Sequence, residues 1–302
     1  GLGMDELLSV ALMQEQLLKL SIPLAALDLP LLDAHGASLA SDLLVDDKLV
    51  IKSGQRIDST QIALAASLGL DRLPCRPQPR VVIISAGDDL VEPGSKLADD
   101  EDEYESNSWF LTTFVREAGA HAFRVHTIPE TQDQLKLIVE DQLVRADLIV
   151  ISGESKDESF DLITSVLSNL GEIKIVTPNL AESSKHSYGE IGPDKTPVVV
   201  LPGDPIGNYL SAELFIRPMI IKMLTGAISD RKNKKVKLSK ALTSESGKVQ
   251  FLRGLLNQDG QVAALANQDS LITLSMANCL IEVNEKIEKL SAGDQVNIMM
   301  VN

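Results

Sequence analysis

Residues 80–90 read RVVIISAGDDL, and this stretch decides the fold. Residues 81–84 are all β-branched and lie between Pro79 and Gly87, a pattern typical of a strand that is buried on both faces. Strand-like and helix-like segments then alternate along the chain, which predicts βαβ units and a central parallel or mixed sheet flanked by helices. The predicted strands are 122–128, 147–152 and 198–201, and the predicted helices are 106–118, 131–145, 161–170 and 206–224.

Weaker patterns flank this α/β region. Apolar residues at helical spacing predict a helix over residues 5–20, and short apolar patches separated by prolines and glycines predict loops and short strands beyond it. After Gly226, strand-like pieces punctuated by glycines predict a small β-barrel or sandwich. We therefore expect an N-terminal helical and extended segment (1–56), an α/β domain (57–228) and a C-terminal β-barrel (229–302).

Composition excludes several classes of partner. The 302 residues include 28 Lys and Arg and 43 Asp and Glu, so the net charge is −15. An acidic chain repels nucleic acid and anionic membranes, so neither is expected as a partner. No stretch reaches the ~18 apolar residues of a transmembrane segment, and the N-terminus does not resemble a signal peptide. Cys75 and Cys279 lack metal-ligand spacing and imply no disulfide framework, which favours the cytoplasm.

Three predicted strands end in loops of small residues that carry an acid. Ligands bind outside the carboxyl ends of parallel strands, where glycine lets backbone N–H groups approach a ligand and carboxylates are suited to hold Mg²⁺. Taken singly, each loop is better explained as a tight turn with a helix N-cap, but three at one edge of the sheet favour a pocket. The loops are Ser85-Ala86-Gly87-Asp88-Asp89-Leu90, Ser152-Gly153-Glu154-Ser155 and Leu201-Pro202-Gly203-Asp204-Pro205.

Several motifs occur together in an order that is similar to a known family. Residues 84–90, followed by Pro93-Gly94 and Glu105-Ser106-Asn107, resemble the pattern S-T-G-D-E-L, P-G and [YD]-[DS]-[ST]-N. Residues 200–205 (VLPGDP) resemble G-L-P-G-N-P, and residues 250–254 (QFLRG) and 275–281 (SMANCLI) resemble F-x-R-G and [LM]-A-N-[CG]-[FL]-I. On these motifs the chain is identified as a shortened, divergent member of the molybdopterin molybdenumtransferase family, which includes bacterial MoeA and the gephyrin E domain.

The resemblance implies a MoeA/MogA-like fold and a homodimer to which the N-terminal segment contributes. It implies an enzyme that inserts molybdate into adenylylated molybdopterin with Mg²⁺ present. Asp88 and Asp161 would be catalytic, and Asp88, Asp161 and Asp204 would hold the metal. An ion pair at the barrel junction explains Arg253 as well as a phosphate does. Molybdopterin would bind at Ser85, Gly87, Ser152, Gly153, Pro202, Gly203, Asp204 and Arg253.

The chain departs from the family pattern at the expected site. The family's S-G-G-V-S-x-G motif falls on residues 152–158, where Glu154 and Glu158 replace glycines, and the lysines of its K-P-G-K stretch fall on Ala181 and Ser184. These changes add negative charge where an anionic pterin should bind, so we expect an impaired site. Residues 40–44 pass almost directly to residues 52–55, where the family carries a separate small domain.

Two functions remain open at this point. One is the family's enzyme with weak or no activity, and the other is a non-catalytic, gephyrin-like dimeric scaffold that binds a peptide of a partner protein. A generic nucleotide-binding protein is less supported, because neither G-x-x-x-x-G-K-[ST] nor G-x-G-x-x-G occurs in the chain.

Overall fold

A computed structural model describes residues 6–127 and 131–301. The chain begins with a short strand and a helix, where the sequence predicts one helix over residues 5–20, and residue 5 lies outside the described residues. The helix starts only at residue 10, because Ser9 Oγ accepts a hydrogen bond from Leu12 N at 3.1 Å and caps it. The first elements are β1 (Glu6–Leu8), α1 (Val10–Leu20), β2 (Leu27–Pro30), α2 (Leu31–Ala34), β3 (Ser38–Leu39), β4 (Leu43–Val45), β5 (Lys48–Ile51), α3 (Ser59–Ser67) and β6 (Arg72–Arg76).

Most of these elements share a small hydrophobic core of their own. The core includes Ile51, Ile57 and Cys75, so it extends across the predicted division between residues 56 and 57, whereas β1 and α1 pack on the central sheet. β4 and β5 are joined by a tight turn at Asp46 and Asp47, whose φ angles are 50° and 64°. Residues 40–52 are all described, and within them this hairpin leaves no room for an inserted domain.

The central sheet confirms the predicted mixed α/β fold. Its seven strands lie in the order β1-β12-β13-β14-β11-β7-β10, in which β13 is antiparallel to both neighbours and the other pairs are parallel. The sequence pattern does not predict β12 and β13. The elements are β7 (Arg80–Ala86), β8 (Leu90–Val91), β9 (Glu103–Tyr104), α4 (Asn107–Ala118), β10 (His121–Thr127), α5 (Gln132–Leu143), β11 (Leu148–Ser152), α6 (Asp157–Ser168), β12 (Gly171–Pro178), β13 (His186–Ile191), β14 (Thr196–Leu201), α7 (Pro205–Ser211), a π-helix (Ala212–Ile216) and α8 (Arg217–Thr225).

Both faces of the sheet are covered, which explains the unbroken apolar strands. Val81 and Ile83 pack with α1, α4, α7 and α8 on one face, and Val82 and Ile84 pack with α5 and α6 on the other. The helix predicted at 161–170 starts earlier, at Asp157, because Asp157 and Glu158 are favourable in a first helical turn. None of the helices in residues 6–127 and 131–301 is both long and apolar enough to cross a membrane.

The C-terminal part forms the predicted β-barrel, which is closed in the order β15-β18-β17-β19-β21. It joins the α/β part through the segment after β12, where Leu180 and Val249 form a bridge and Ala181 N donates to the Val249 carbonyl at 2.8 Å. The elements of this part are β15 (Asn233–Leu238), β16 (Leu242–Thr243), β17 (Gln250–Leu256), β18 (Gln261–Ala264), α9 (Leu271–Met276), β19 (Cys279–Val283), β20 (Lys289–Leu290) and β21 (Gln295–Met300), of which β16 and β20 form a separate two-stranded sheet.

Candidate functional site

The carboxyl ends of the parallel strands bring the three predicted loops together. Ser152 pairs in register with Ser85 on one side and with Leu201 on the other, so the loops that follow these residues start side by side. A Cβ atom on Gly203 would lie 2.2 Å from the carbonyl oxygen of Glu154. Only glycine fits there, and its presence lets the second and third loops touch.

Two buried asparagines hold the strand ends in place. Asn107 Nδ2 donates to Ser152 Oγ at 3.0 Å and to the Gly203 carbonyl at 2.7 Å. Asn208 Nδ2 donates to Ser152 Oγ at 3.3 Å and to the Pro202 carbonyl at 3.1 Å. The network therefore ties the ends of β11 and β14 to the start of α4.

The same edge contains two buried oxygen atoms without a hydrogen-bond partner among the described residues, Ser85 Oγ and Asn208 Oδ1. Buried polar atoms are normally satisfied, so a water molecule or a ligand group would complete the network here. Ser85 is one of the predicted site residues, whereas sequence reasoning misses Asn208. The available signal was an asparagine in the first turns of the helix that follows a strand-Pro-Gly-Asp turn.

Two clefts open beside these loops, and residues of the second loop line both. The larger one, which we call the Glu154 cleft, has a volume of about 440 Å³ and lies against the first loop. The smaller one, the Lys185 cleft, has a volume of about 130 Å³ and lies against the third loop. Lys185 lines the smaller cleft together with Gly153, Pro202, Gly203 and Asp204, which are all predicted site residues.

The Glu154 cleft is acidic. Lys156 Nζ forms an ion pair with Asp89 and lies 3.6 Å from Glu154 Oε2, and the hydrogen bond with Asp89 raises the pKa of Lys156. The pKa of Glu103 is raised first by partial burial and then by the negative charges of Glu154 and Asp89. The charged residues that line the cleft, within the part of the chain that the structure describes, are Asp88, Asp89, Glu154, Lys156 and Glu158.

The structure does not gather the three predicted metal-side acids into one ligand set. Asp88 is exposed at the Glu154 cleft, whereas Asp204 caps α7, where its Oδ2 accepts a hydrogen bond from Gly207 N at 2.7 Å. Asp161 is exposed in the fifth position of α6 and lines neither cleft. No group of three or more His, Cys, Asp or Glu residues among the described ones is placed to hold a metal ion. The metal and catalytic roles of these acids stay predictions.

Arg253 lies at the barrel junction and lines neither of the two clefts. It is 1% exposed, and its guanidinium donates to the carbonyls of Phe251 and Gln268, each at 2.9 Å. It also forms an ion pair with Glu182 at 3.3 Å. The φ angle of Glu182 is 62°, which is unusual for a residue other than glycine. The ion pair that the sequence allows as an alternative is thus present, and a phosphate-binding role for Arg253 stays a prediction.

Comparison with known proteins identifies the class of this fold and site. Residues 82–222 match the family model "Probable molybdopterin binding domain", and residues 235–301 match "MoeA C-terminal region (domain IV)". The α/β part of the chain therefore falls in the class that the first model describes, and the barrel falls in the class of the MoeA C-terminal region.

Individual relatives agree with this class. The chain is 30% identical over 269 residues to molybdopterin molybdenumtransferase 1 of Mycobacterium tuberculosis, an alignment that covers 86% of this chain. It is 32% identical over 258 residues to molybdopterin molybdenumtransferase 2 of the same organism, with 82% of this chain covered. A crystal structure of a molybdopterin biosynthesis MoeA protein from Pyrococcus horikoshii aligns with a TM-score of 0.82 and 18% identity over 98% of this chain and 99% of that chain.

The chain belongs to the MoeA family of molybdenum cofactor biosynthesis proteins, as its motifs indicate. It spans 63% of the length of each of the two mycobacterial relatives.

Proposed function

We propose that this chain acts in molybdenum cofactor biosynthesis by binding molybdopterin, or its adenylylated form, at the carboxyl edge of the central sheet. The observation that carries the proposal is the convergence of the three loops on the network of Asn107, Ser152 and Asn208, inside the region that matches the molybdopterin-binding family model. A phosphorylated pterin needs backbone N–H groups and cations near its phosphate. The glycine-containing loops and Lys185 supply groups of these kinds. Molybdenum transfer, with molybdate as a substrate, is the proposed reaction.

We infer further that the site is impaired as a transferase. Four carboxylates line the Glu154 cleft, and Lys156 is the only cation among its described lining residues. At an effective dielectric constant of ~20, a carboxylate ~6 Å from a phosphate charge opposes binding by about 3 kcal/mol before screening. Several such terms, even when solvent reduces each of them, would weaken the binding of an anionic pterin by orders of magnitude.

Mg²⁺ enters this proposal as an ion that accompanies the phosphates of the ligand. It usually keeps several waters and binds through one or two carboxylates plus substrate phosphates, so a preformed cluster of three acids is not required. Asp88 is the best placed of the three predicted acids, because it is exposed at the Glu154 cleft. Asp204 already uses one oxygen to cap α7, and Asp161 lines neither cleft.

Titration calorimetry with molybdopterin and Mg²⁺ tests both parts of the proposal. We expect weak but measurable binding, with a Kd of about 1 mM. A micromolar Kd would contradict the impaired site, and complete absence of binding would contradict the assignment of the ligand. Lys185→Ala should weaken binding because it removes one of the two lysines that line the smaller cleft, whereas Lys286→Ala removes the same charge from an exposed barrel loop and should leave the Kd unchanged.

A second function, that of a non-catalytic dimeric scaffold, is favoured by exposed apolar side chains outside the two clefts. Leu7 and Leu32, in the segment expected to dimerise, are 71% and 86% exposed. Ile272 and Met276 are 73% and 61% exposed on α9 of the barrel. Groups of exposed apolar side chains mark interaction surfaces in many proteins.

Size-exclusion chromatography with light scattering tests the dimer that both functions assume. We expect a mass near twice 32.6 kDa. Leu32→Ser should shift the protein towards monomer, whereas Val144→Ser, a change at an equally exposed apolar residue next to α5, should not. A wild-type monomer at all concentrations would contradict the dimer. A dimer that binds no molybdopterin would favour the scaffold over the enzyme.

A further inference from the structure

The Glu154 side chain is a mostly buried carboxylate in a cleft that is otherwise open. It is 8% exposed, and its Oε1 accepts a hydrogen bond from the backbone N–H of Asp89 at 2.6 Å. Its Oε2 lies 3.6 Å from Lys156 Nζ. A backbone N–H in a turn together with a lysine ammonium is a donor set that proteins use for anionic ligands.

The carboxylate group is packed closely against the first loop. A Cβ atom on Gly87 would lie 2.5 Å from Glu154 Cγ and 2.7 Å from Oε1, so the absence of a side chain at residue 87 is what admits the Glu154 side chain. The main chain of Glu154 is fixed on two sides, because its N–H donates to Ser159 Oγ at 3.1 Å and its carbonyl oxygen contacts Gly203. Only the side chain is free to change position without rebuilding the loops.

We propose that the Glu154 carboxylate occupies a binding site for a phosphate or pyrophosphate group. When the side chain rotates away, the Asp89 N–H and the Lys156 ammonium become donors for an external phosphate or pyrophosphate. The inference rests on the proposed function only where it assigns that phosphate to a pterin. The Asp89 N–H, the Lys156 ammonium and the Glu154 carboxylate are observed directly in the structure of this chain.

The neighbouring charges determine which anion can enter. Asp88, Asp89 and Glu158 also line the cleft, and Lys156 is already paired with Asp89. A bare anion therefore meets repulsion as well as the competing Glu154 carboxylate, and a divalent cation bound to the phosphate would offset that repulsion. Inorganic pyrophosphate, with and without Mg²⁺, is the appropriate probe.

The decisive comparison distinguishes two effects of the Glu154 side chain, which are occupation of the proposed phosphate site and negative charge near it. Glu154→Ala removes the carboxylate and empties that site, whereas Glu154→Gln removes the same charge but keeps an oxygen acceptor of nearly the same size beside Asp89 N–H. Glu158→Gln is the matched control, because it removes one carboxylate from the same cleft at an exposed position. Glu154→Gly is prepared in parallel with the alanine variant, so that misfolding of one truncation leaves the other to be measured.

We expect calorimetry to show that Glu154→Ala binds Mg²⁺-pyrophosphate at least about tenfold more tightly than the wild type, which is the size of effect given by one charged hydrogen bond. Glu154→Gln should gain no more than Glu158→Gln, because each removes one carboxylate and neither frees the Asp89 N–H, and Glu154→Ala should exceed both by about tenfold. Equal affinities for the alanine and glutamine variants would overturn the proposal in favour of simple repulsion. No gain in either truncated variant would overturn it as well.

Amide NMR gives a second readout that does not depend on affinity alone. Pyrophosphate should shift the Asp89 amide resonance of Glu154→Ala and leave that of the wild type in place. A gain in affinity without a shift at Asp89 would mean that the anion binds elsewhere, which would overturn the assignment. Because the probe is inorganic, failure of these experiments is distinct from failure of molybdopterin binding by the wild-type chain.

Discussion

His186 should make the stability of this protein depend on pH. Its ring is fully buried, with Nδ1 at 2.9 Å from the Ser184 carbonyl oxygen and Nε2 at 2.7 Å from Ser211 Oγ. The carbonyl oxygen can only accept, so Nδ1 carries the proton and Nε2 accepts from the serine hydroxyl. The ring also packs edge-on against Phe215, with the ring centres 5.7 Å apart. Burial favours the neutral ring and lowers the pKa of His186 from 6.5 to about 4.

The direction of the effect follows from the two pKa values. The unfolded chain takes up a proton near pH 6.5, whereas the folded chain keeps His186 neutral down to about pH 4. Between these values the unfolded state binds more protons, so the free energy of unfolding decreases as the pH falls through this window. Since one pKa unit corresponds to about 1.4 kcal/mol, His186 should account for a loss of about 3 kcal/mol. Well above pH 6.5 the ring is neutral in both the folded and the unfolded chain, so the stability lost at lower pH is fully present there.

Urea unfolding at a series of pH values measures this loss. His186→Gln keeps a donor and an acceptor but cannot gain a proton, so it should lose about 3 kcal/mol less than the wild type between pH 7 and pH 4. Carboxyl groups also take up protons in this pH range, and subtracting the free energy of unfolding of one protein from that of the other removes their contribution. His121→Gln, at an exposed position of β10, is the control and should follow the wild type. If His186→Gln shows the same pH dependence as the wild type, the reasoning about the buried ring is refuted.

Three further outcomes can be checked with standard measurements. Arg253→Lys should lower the free energy of unfolding in urea by about 2–3 kcal/mol, because a single lysine nitrogen replaces the two guanidinium nitrogens that reach Glu182 and the two carbonyl acceptors. The same change should leave molybdopterin affinity unchanged, and the opposite pattern would favour a ligand role. Burial raises the pKa of Cys75 and Cys279 to about 11, so a thiol reagent should label both only after denaturation, and rapid labelling of the folded protein would contradict their burial. Asn107→Ala removes two donated hydrogen bonds and should lower stability by about 1–3 kcal/mol, whereas an unchanged melting temperature would show that the network contributes nothing.

The parts of the fold that the sequence predicts are those in which local pattern and tertiary environment agree. β7, β11 and β14 are buried on both faces, so each reads as a continuous apolar run whichever helices cover it. In β12, buried Ile173 and Ile175 alternate with exposed Glu172 and Lys174, a period of two that indicates a half-buried strand, so this strand was within reach of the sequence pattern although it is not among the predicted strands. β1 has three residues and exists because Leu8 pairs with Pro178, a contact that no local pattern records.

The site divides in a similar way. The three loops are predictable because a strand end followed by Gly and Asp is visible in the sequence, and the parallel topology then places those ends together. The sequence does show an asparagine, residue 208, early in the helix after the third loop, but its bridging role is not predictable from that alone, because the role depends on the distance between β11 and β14 in the folded chain. Helix α6 illustrates the same limit, since moving its start to Asp157 removes Asp161 from the first helical turn, where a ligand-facing acid was expected.

The orientation of Glu154 changes how the acidic charge of the site should be understood. From the sequence, a glutamate at this position only adds negative charge, and its effect on an anionic ligand would be repulsion at a distance. In the folded chain the same carboxylate is bound to a backbone N–H and lies near a lysine, so it stabilises the empty cleft while it excludes a ligand by occupying its place. Salt screens repulsion between exposed charges, but it affects direct competition for the partly buried Asp89 N–H much less. Weak binding that persisted at high ionic strength would therefore point to the position of this one side chain, whereas binding that strengthens with salt would point to repulsion by the other carboxylates and the net charge of −15.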